Sequence, residues 1–374
     1  MAPIRVLHNI VSLDMGGIET AVMNLYRHID KEKVVFDFLV HRPTEGFYEK
    51  EIRSYGGKIY RTPRFNPLKM RRYRRSCMEI LREHPEYKVF HSHQELNLWT
   101  LKYAEKAGIP CRIAHSHNAK TVVNLKFFFF LYEKLFIKRH CTDMFMCSTL
   151  AGEWSYGKKA VQDGRVRMSK NGIEVERFRY NEEVRREVRR ELNVEDKIVI
   201  GHAGRFMQQK NHMFLMDIFR KIHDRNPDTV LLLCGEGRLE EDIRRKVKEL
   251  ELEDHVRFLG VRPDMDRMYQ GFDLFLLPSL WEGLPVVGIE AQTSGLPILM
   301  SDVITPEVEV TPCVKKLSLK TSPEVWAQTA LDMIREHQRQ DEYQRIVDAG
   351  FDIRETAKWW QNYYLEKYRE ENEN

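Results

Sequence analysis

The sequence lacks long apolar runs, closely spaced cysteine pairs and a leader-like start. Nowhere in its 374 residues does an apolar run approach the roughly eighteen residues of a membrane-spanning helix. Arg5 and His8 break up the short apolar pieces at the start, so the apolar segment of a secretory signal is missing. The six cysteines, Cys77, Cys111, Cys141, Cys147, Cys234 and Cys313, never fall at Cys-x-x-Cys spacing and sit mostly among apolar neighbours. That pattern predicts reduced, packed thiols and a cytoplasmic protein. Low-complexity tracts and short-period repeats are absent as well.

An overall excess of one charge sign is nearly missing too, at +4. Its distribution is uneven, however. Residues 1–178 hold 31 Lys and Arg against 19 Asp and Glu, a net +12, while 179–374 hold 29 against 37, a net −8. A basic first half implies an anionic partner: nucleic acid, an acidic membrane surface or a phosphorylated acceptor. No nucleic-acid recognition motif accompanies the charge, so nucleic acid is set aside.

A chain of this length exceeds one compact core and predicts two domains. Each half alternates strand-like runs with helical segments. The first has Arg5 to Ile10, a helix over Ile18 to Arg27, then Val34 to Val40, Val89 to His93, Arg112 to His115 and Met144 to Ser148. The second has Ile198 to Ala203, Thr229 to Cys234, Val256 to Gly260, Leu274 to Leu277 and Pro297 to Met300. Such alternation predicts parallel sheets covered on both faces, hence an α/β protein of two Rossmann-like domains facing a cleft. The chain crosses between them within Gly172 to Phe178, giving domains over 1–175 and 176–352.

The segment Ser279 to Ala291 concentrates the chemistry. Pro278 to Pro285 reads as a loop after a buried strand, and Val286 to Ser294 as a helix. Glu282 then stands at the strand's carboxyl mouth and Glu290 inside the helix. Ligands of open α/β sheets bind outside the carboxyl ends of the strands, and N–H groups at the helix start, near Leu284, Pro285 and Val286, can receive a diphosphate. Carboxylates beside such a nest accept hydrogen bonds from sugar hydroxyls. The run Glu282-Gly283-Leu284-Pro285-Val286-Val287-Gly288-Ile289-Glu290-Ala291-Gln292 resembles the Glu, seven residues, Glu hallmark of retaining family 4 glycosyltransferases of the GT-B fold. Exopolysaccharide and capsule transferases are particularly similar.

The resemblance covers nearly the whole chain. It implies an acceptor-binding first domain, a donor-binding second domain and a last helix, 353–374, that crosses back to the first. Trp359, Trp360, Tyr363, Tyr364 and Tyr368 recur at the helical spacing such docking needs. It also implies metal independence and no cofactor.

Other constellations follow strands. Gly204-Arg205 with Lys210-Asn211 delivers two cations before a helix, suited to a departing diphosphate on which negative charge grows; an ordinary solvated loop is the plainer reading. Gly235-Glu236-Gly237 lets backbone approach a flat ligand, although a simple strand-to-helix turn uses the same residues. By resemblance Gly235, Glu236 and Val261 border the nucleoside base. Gly16 and Gly17 leave the first strand and match the family's first loop, where backbone comes close to phosphate or acceptor.

His91-Ser92-His93 and His115-Ser116-His117-Asn118 each end a strand. Two such pairs can nominate a metal site, and a zinc hydrolase would need a carboxylate and an open position beside them. Neither a helical His-Glu-x-x-His nor a cysteine cluster supports that. The resemblance places His117, ahead of His115, against hydroxyls of the transferred sugar; histidines merely packed at strand ends are the alternative. Arg71, Arg72, Arg74 and Arg75, together with the Phe127 to Phe130 run, combine charge and aromatic bulk in a way that fits shallow binding to an anionic membrane. A solvated face plus a core helix would look similar.

The expectation is therefore a retaining hexosyltransferase using a nucleotide sugar, uridine-linked, and a lipid-linked or saccharide acceptor in surface polysaccharide assembly, peripheral on the inner face of the membrane. His117, Arg205, Lys210 and Glu282 carry the chemistry, and Glu290 binds ribose. Rivals are a nucleotide-sugar 2-epimerase of the same architecture, against which the Glu spacing argues, a zinc hydrolase, and a non-catalytic nucleotide-sugar binder.

Overall fold

The computed structural model describes residues 2–93, 98–119 and 125–370, apart from the side chains of Leu125, Lys126, Phe127 and Phe129. It divides into two compact units, Met1–Gly172 with Ile353–Asn374, and Ile173–Asp352. Counted over those units, the sequence carries 34 Lys and Arg against 22 Asp and Glu in the first and 26 against 34 in the second. The asymmetry thus follows the folded units. Among the described residues no helix is long and apolar enough to cross a membrane.

The first unit holds seven strands: β1 (Ile4–Ile10), β2 (Val34–Val40), β3 (Ile59–Arg61), β4 (Val89–Ser92), β5 (Cys111–Ser116), β6 (Asp143–Met146) and β7 (Arg167–Met168). They pair in parallel in the order β3-β2-β1-β4-β5-β6-β7. Period-two alternation sends Val6, Ile10, Phe36, Phe38 and Val40 into one core and Leu7, Leu39 and Phe90 into another, as a sheet covered on both faces requires.

The helix Ile353–Glu370 joins the first of those cores through Ile353, Ala357, Trp360, Tyr363 and Tyr364. Trp360 also donates its indole N–H to Ser169 Oγ at 3.0 Å. Trp359 is 45% exposed and lies off the docking stripe.

The second unit repeats the plan with β8 (Ile198–Ala203), β9 (Thr229–Cys234), β10 (Val256–Gly260), β11 (Leu274–Leu277), β12 (Ile298–Ser301) and β13 (Val314–Leu317). These are all parallel, in the order β10-β9-β8-β11-β12-β13. Strand order reverses between β1 and β4 and again between β8 and β11. Crevices for ligands open at such reversals, at the carboxyl ends of the strands.

Three strands lie outside the sequence reading: β3, β7 and β13. Each is at a sheet edge, two to four residues long and only partly buried or exposed. Sequences such as Arg167-Met168 and Val314-Lys315-Lys316-Leu317 offer no apolar run, because an edge strand has water on one side.

Replacing Trp360, which is 2% exposed, with Ala should destabilise the first unit by about 3 to 5 kcal/mol. Trp359→Ala should cost less than about 1 kcal/mol. Urea unfolding followed by circular dichroism checks both, and equal losses would contradict the docking of this helix through Trp360.

Candidate active site

In the second unit, the reversal between β8 and β11 brings together the loops that follow those strands. Gln208–Lys210 forms one tight helical turn. Leu280 N–H donates to Gln209 O at 2.8 Å, Asn211 Nδ2 to Pro278 O at 3.1 Å and Gln209 Nε2 to Trp281 O at 3.1 Å. The two loops are thereby laced together by one backbone and two side-chain hydrogen bonds.

At the end of the lacing stands Glu282. Lys210 Nζ donates to its Oε1 at 2.8 Å and Gln209 Nε2 to its Oε2 at 3.1 Å. Both ion-pair partners are largely buried, with side chains 14% and 8% exposed, so neither charge is tolerable there without the other. Gly204 explains how the lysine stem fits: a Cβ at this residue would lie 2.6 Å from Lys210 Cε. Arg205 is exposed on the same loop. Gln209 escaped the sequence reading, although its place in one turn with Lys210 was the available signal.

The glycines after β9 have a packing role in the second unit. A Cβ on Gly235 (φ +141°) would meet Gly204 O at 2.2 Å, and one on Gly237 would meet Phe206 O at 2.6 Å. Phe206 N–H donates to Glu236 O at 2.9 Å and Gly235 N–H to Gly260 O at 2.7 Å. What approaches these glycines is neighbouring backbone, which seals adjacent loops together. Glu236 is exposed, as is Val261 at 42%.

Leu284 and Pro285 are buried, Pro285 precedes the helix Val286–Thr293, and Val286 in its first turn is half-buried. Glu290 is held separately from Glu282, since Tyr269 Oη donates to its Oε2 at 2.9 Å. Burial pushes the Glu290 carboxyl up to about 7, and the Tyr269 hydroxyl and Arg177 only partly offset this.

In the first unit Gly16 precedes the helix Gly17–His28 in extended conformation (φ −154°). Gly17 is exposed with open space where a Cβ would be, so packing does not demand a glycine there. The described structure gathers both His-x-His pairs and adds His8 from β1, which the sequence reading treated only as an interruption. All five rings are buried.

Tyr364 Oη lies 2.7 Å from His91 Nδ1, and His91 Nε2 lies 3.2 Å from His115 Nδ1. His8 Nδ1 lies 3.0 Å from His93 Nε2, and His93 Nδ1 3.0 Å from His117 Nε2. His93, His115 and His117 offer ring nitrogens within 4.8 Å of one another, as do His8, His91 and His93. Among the described residues no carboxylate belongs to either group.

Residues 184–350 match the family model of glycosyl transferases group 1, and residues 15–177 that of glycosyltransferase family 4. EpsF of Bacillus subtilis (strain 168), assigned as a glycosyltransferase, is 33% identical over 369 residues, covering 96% of each chain. The chain belongs to the family 4 type of GT-B glycosyltransferases. An Escherichia coli relative of this glycosyltransferase, UDP-Gal:alpha-D-GlcNAc-diphosphoundecaprenol alpha-1,3-galactosyltransferase, is 28% identical over 227 residues, 58% of each chain. The crystal structure of HepE (Alr3699) from Anabaena with UDP and glucose shares the fold at a TM-score of 0.79 and 16% identity, over 96% of this chain and 99% of that one.

Burial holds His8 down at about 3 and His117 and His202 at about 4, with His91, His93 and His115 also well below the ordinary value. Between about pH 4 and 6.5 the unfolded glycosyltransferase therefore binds more protons than the folded one. Stability should be complete above pH 6.5 and drain as pH falls, by about 1.4 kcal/mol per pH unit for each such histidine. Glu290, raised, works in the opposite direction as a single group. Urea midpoints at pH 7.5 and 5.0 test this; equal midpoints would mean that the rings titrate as in open chain.

Proposed function

We propose that this glycosyltransferase moves a hexose, with retention, from a uridine diphosphate sugar to a lipid-linked or saccharide acceptor in surface polysaccharide assembly. The observation that carries the reading is the Lys210–Glu282–Gln209 cluster at the β8/β11 reversal. A cation and a carboxylate that hold each other in the free protein have natural separate partners in a sugar diphosphate. Lys210, with Arg205, takes the diphosphate, and Glu282 takes hydroxyls of the transferred sugar. Leu284, Pro285 and Val286 bring the helix start to the phosphates.

Glu290 accepts hydrogen bonds from ribose, and Gly235, Glu236 and Val261 border the base. His117 binds sugar hydroxyls, while Gly16 and Gly17 leave room at the first loop. The cations stabilise charge that grows on the leaving diphosphate, which lowers the barrier more than it strengthens ground-state binding. Support for a uridine donor and a lipid diphosphate acceptor comes from the substrates for which the E. coli relative is named and from the UDP and glucose held by HepE. Retention and metal independence rest on the resemblance.

We further propose that the first unit meets an anionic bilayer. Arg71, Arg72, Arg74 and Arg75 are all exposed on the helix Met70–Glu83, and Leu68 just before it is 94% exposed. On the helix Leu125–Phe136, Phe128, Leu131, Tyr132 and Leu135 form an exposed apolar stripe at helical spacing. Phe130 is buried, and the side chains of Phe127 and Phe129 lie outside the described residues. Among the described residues the face offered to lipid is this stripe, to which the phenylalanine run contributes Phe128.

Transfer from radiolabelled nucleotide sugars to a polyprenyl-diphosphate sugar, with EDTA present, tests the activity. Absence of both transfer and thermal stabilisation across UDP-, GDP- and ADP-sugars would defeat the reading. Lys210→Ala or Arg205→Ala should raise the barrier by about 2 to 4 kcal/mol with saturating donor. Glu282→Ala should mainly lower kcat, and Glu290→Ala should mainly weaken nucleotide binding. Turnover and donor affinity within twofold of the parent for all four would remove the site assignment.

Co-sedimentation with anionic and neutral liposomes tests the membrane face. Each basic residue near an anionic surface contributes about 1 kcal/mol, so the quadruple Arg→Gln variant at 71, 72, 74 and 75 should bind far more weakly and lose most of its salt dependence. Equal sedimentation of parent and variant with both lipids would mark these arginines as a solvated face.

A further inference from the structure

We infer that the five buried histidines of the first unit form two hydrogen-bonded chains that hold His115 and His117 as N–H donors toward one recess, with Tyr364, His91, His8 and His93 as positioning residues. The inference rests on the proposed contact of His117 with the sugar and adds which proton each ring carries.

The chains follow from register. His8 and His91 are paired neighbours on β1 and β4; His91 and His115 lie in the adjacent strands β4 and β5, and His93 and His117 follow directly after those strands at the alternate position, so their rings share one face. A neutral imidazole carries one proton, so each ring can donate through one nitrogen and accept through the other. Fixing one end of a chain fixes its whole direction.

The first chain is fixed by a phenol. Tyr364 is fully buried, and its hydroxyl meets His91 Nδ1. If that hydroxyl accepted, its own hydrogen would be stranded in the core, so it donates. His91 then donates from Nε2 to His115 Nδ1, and the His115 proton sits on Nε2. That nitrogen is buried without a hydrogen bond of good geometry, and the Ser169 backbone on the recess wall lies near the ring.

The second chain is fixed by an apolar wall. His8 Nε2 has no partner among the described residues, and its ring lies 3.9 Å from that of Phe36 and 5.6 Å from that of Phe38, centroid to centroid. Orphaned buried N–H groups are rare. His8 therefore keeps a bare lone pair at Nε2 and donates from Nδ1 to His93. His93 donates to His117 Nε2, which leaves the His117 proton on the unpartnered Nδ1.

His115 and His117 line a recess together with Ser169, Lys170, Asn171 and Thr356. Two imidazole N–H groups there suit an oxygen acceptor, such as a hydroxyl oxygen of the transferred sugar. Depressed by burial, both rings stay neutral at working pH, and so act as donors without being acids.

The test is a two-bond 1H–15N spectrum of the full chain labelled with 15N-histidine at pH 7.5, assigned with His115→Gln and His117→Gln. The expected result is a proton on Nε2 of His115 and on Nδ1 of His117. Tyr364→Phe and His8→Phe remove one hydrogen-bonding group each and keep a ring in place. Each should convert its terminal histidine to a mixture of tautomers and lower kcat by about tenfold or more, with the donor KM changed by less than about threefold.

The opposite tautomer at either residue in the parent would overturn the inference. So would unchanged tautomers in both variants, or stoichiometric zinc shifting His93, His115 and His117 together, which would make the cluster a metal site. Should a variant fail to fold, the parent spectrum still decides. Unchanged turnover in His117→Gln with the expected tautomers would instead defeat the sugar contact alone.

Discussion

The Lys210–Glu282 ion pair exists because strand order reverses between β8 and β11. Within a run of like-ordered parallel strands, crossover helices cover the strand ends; at a reversal the two neighbouring helices leave on opposite faces and a crevice remains. The loops that enter this crevice carry the cation and the carboxylate. Both side chains are largely buried, so each charge offsets the other's desolvation, and the pair stands at a loop end.

Holding that pair in place depends on contacts without side chains. Gly204 yields the space for the lysine stem, and Gly235 and Gly237 let the next loop lie directly on Gly204 and Phe206. A methyl group at Gly235 would displace backbone, and the displacement would travel through Gly204 to Lys210. Rigid placement of a long, entropically costly lysine therefore comes from backbone packing two residues thick.

Much of this was legible in the chain, and the boundary of legibility is physical. Central strands such as Val34–Val40 and Thr229–Cys234 announce themselves as apolar runs because both their faces are buried, whereas β3, β7 and β13 have one edge in water and read as charged loops. The two glutamates were legible because a turn of Gly, Leu and Pro links them. Gln209 was not, since an amide in a polar turn carries no signal of its own until the opposing loop is known. His8 was hidden for a related reason. A single histidine in a strand gains meaning only from the register that sets it beside His91. The glycines after β9 mark a place where backbone comes close, and sequence does not say which backbone.

The two units treat titratable groups in contrasting ways. In the second, charge is kept and paired, as with Lys210 and Glu282, or pushed toward neutrality where no cation is near enough, as with Glu290. In the first, charge is removed altogether from five imidazoles, and their hydrogen-bonding capacity is spent on one another and on Tyr364. A neutral ring costs far less to bury than an ion, but only if its single proton has a destination, and the sheet register supplies one at every step except the outermost. The remaining N–H groups at His115 and His117 are therefore what the inner rings leave over, directed by Tyr364, His91, His8 and His93.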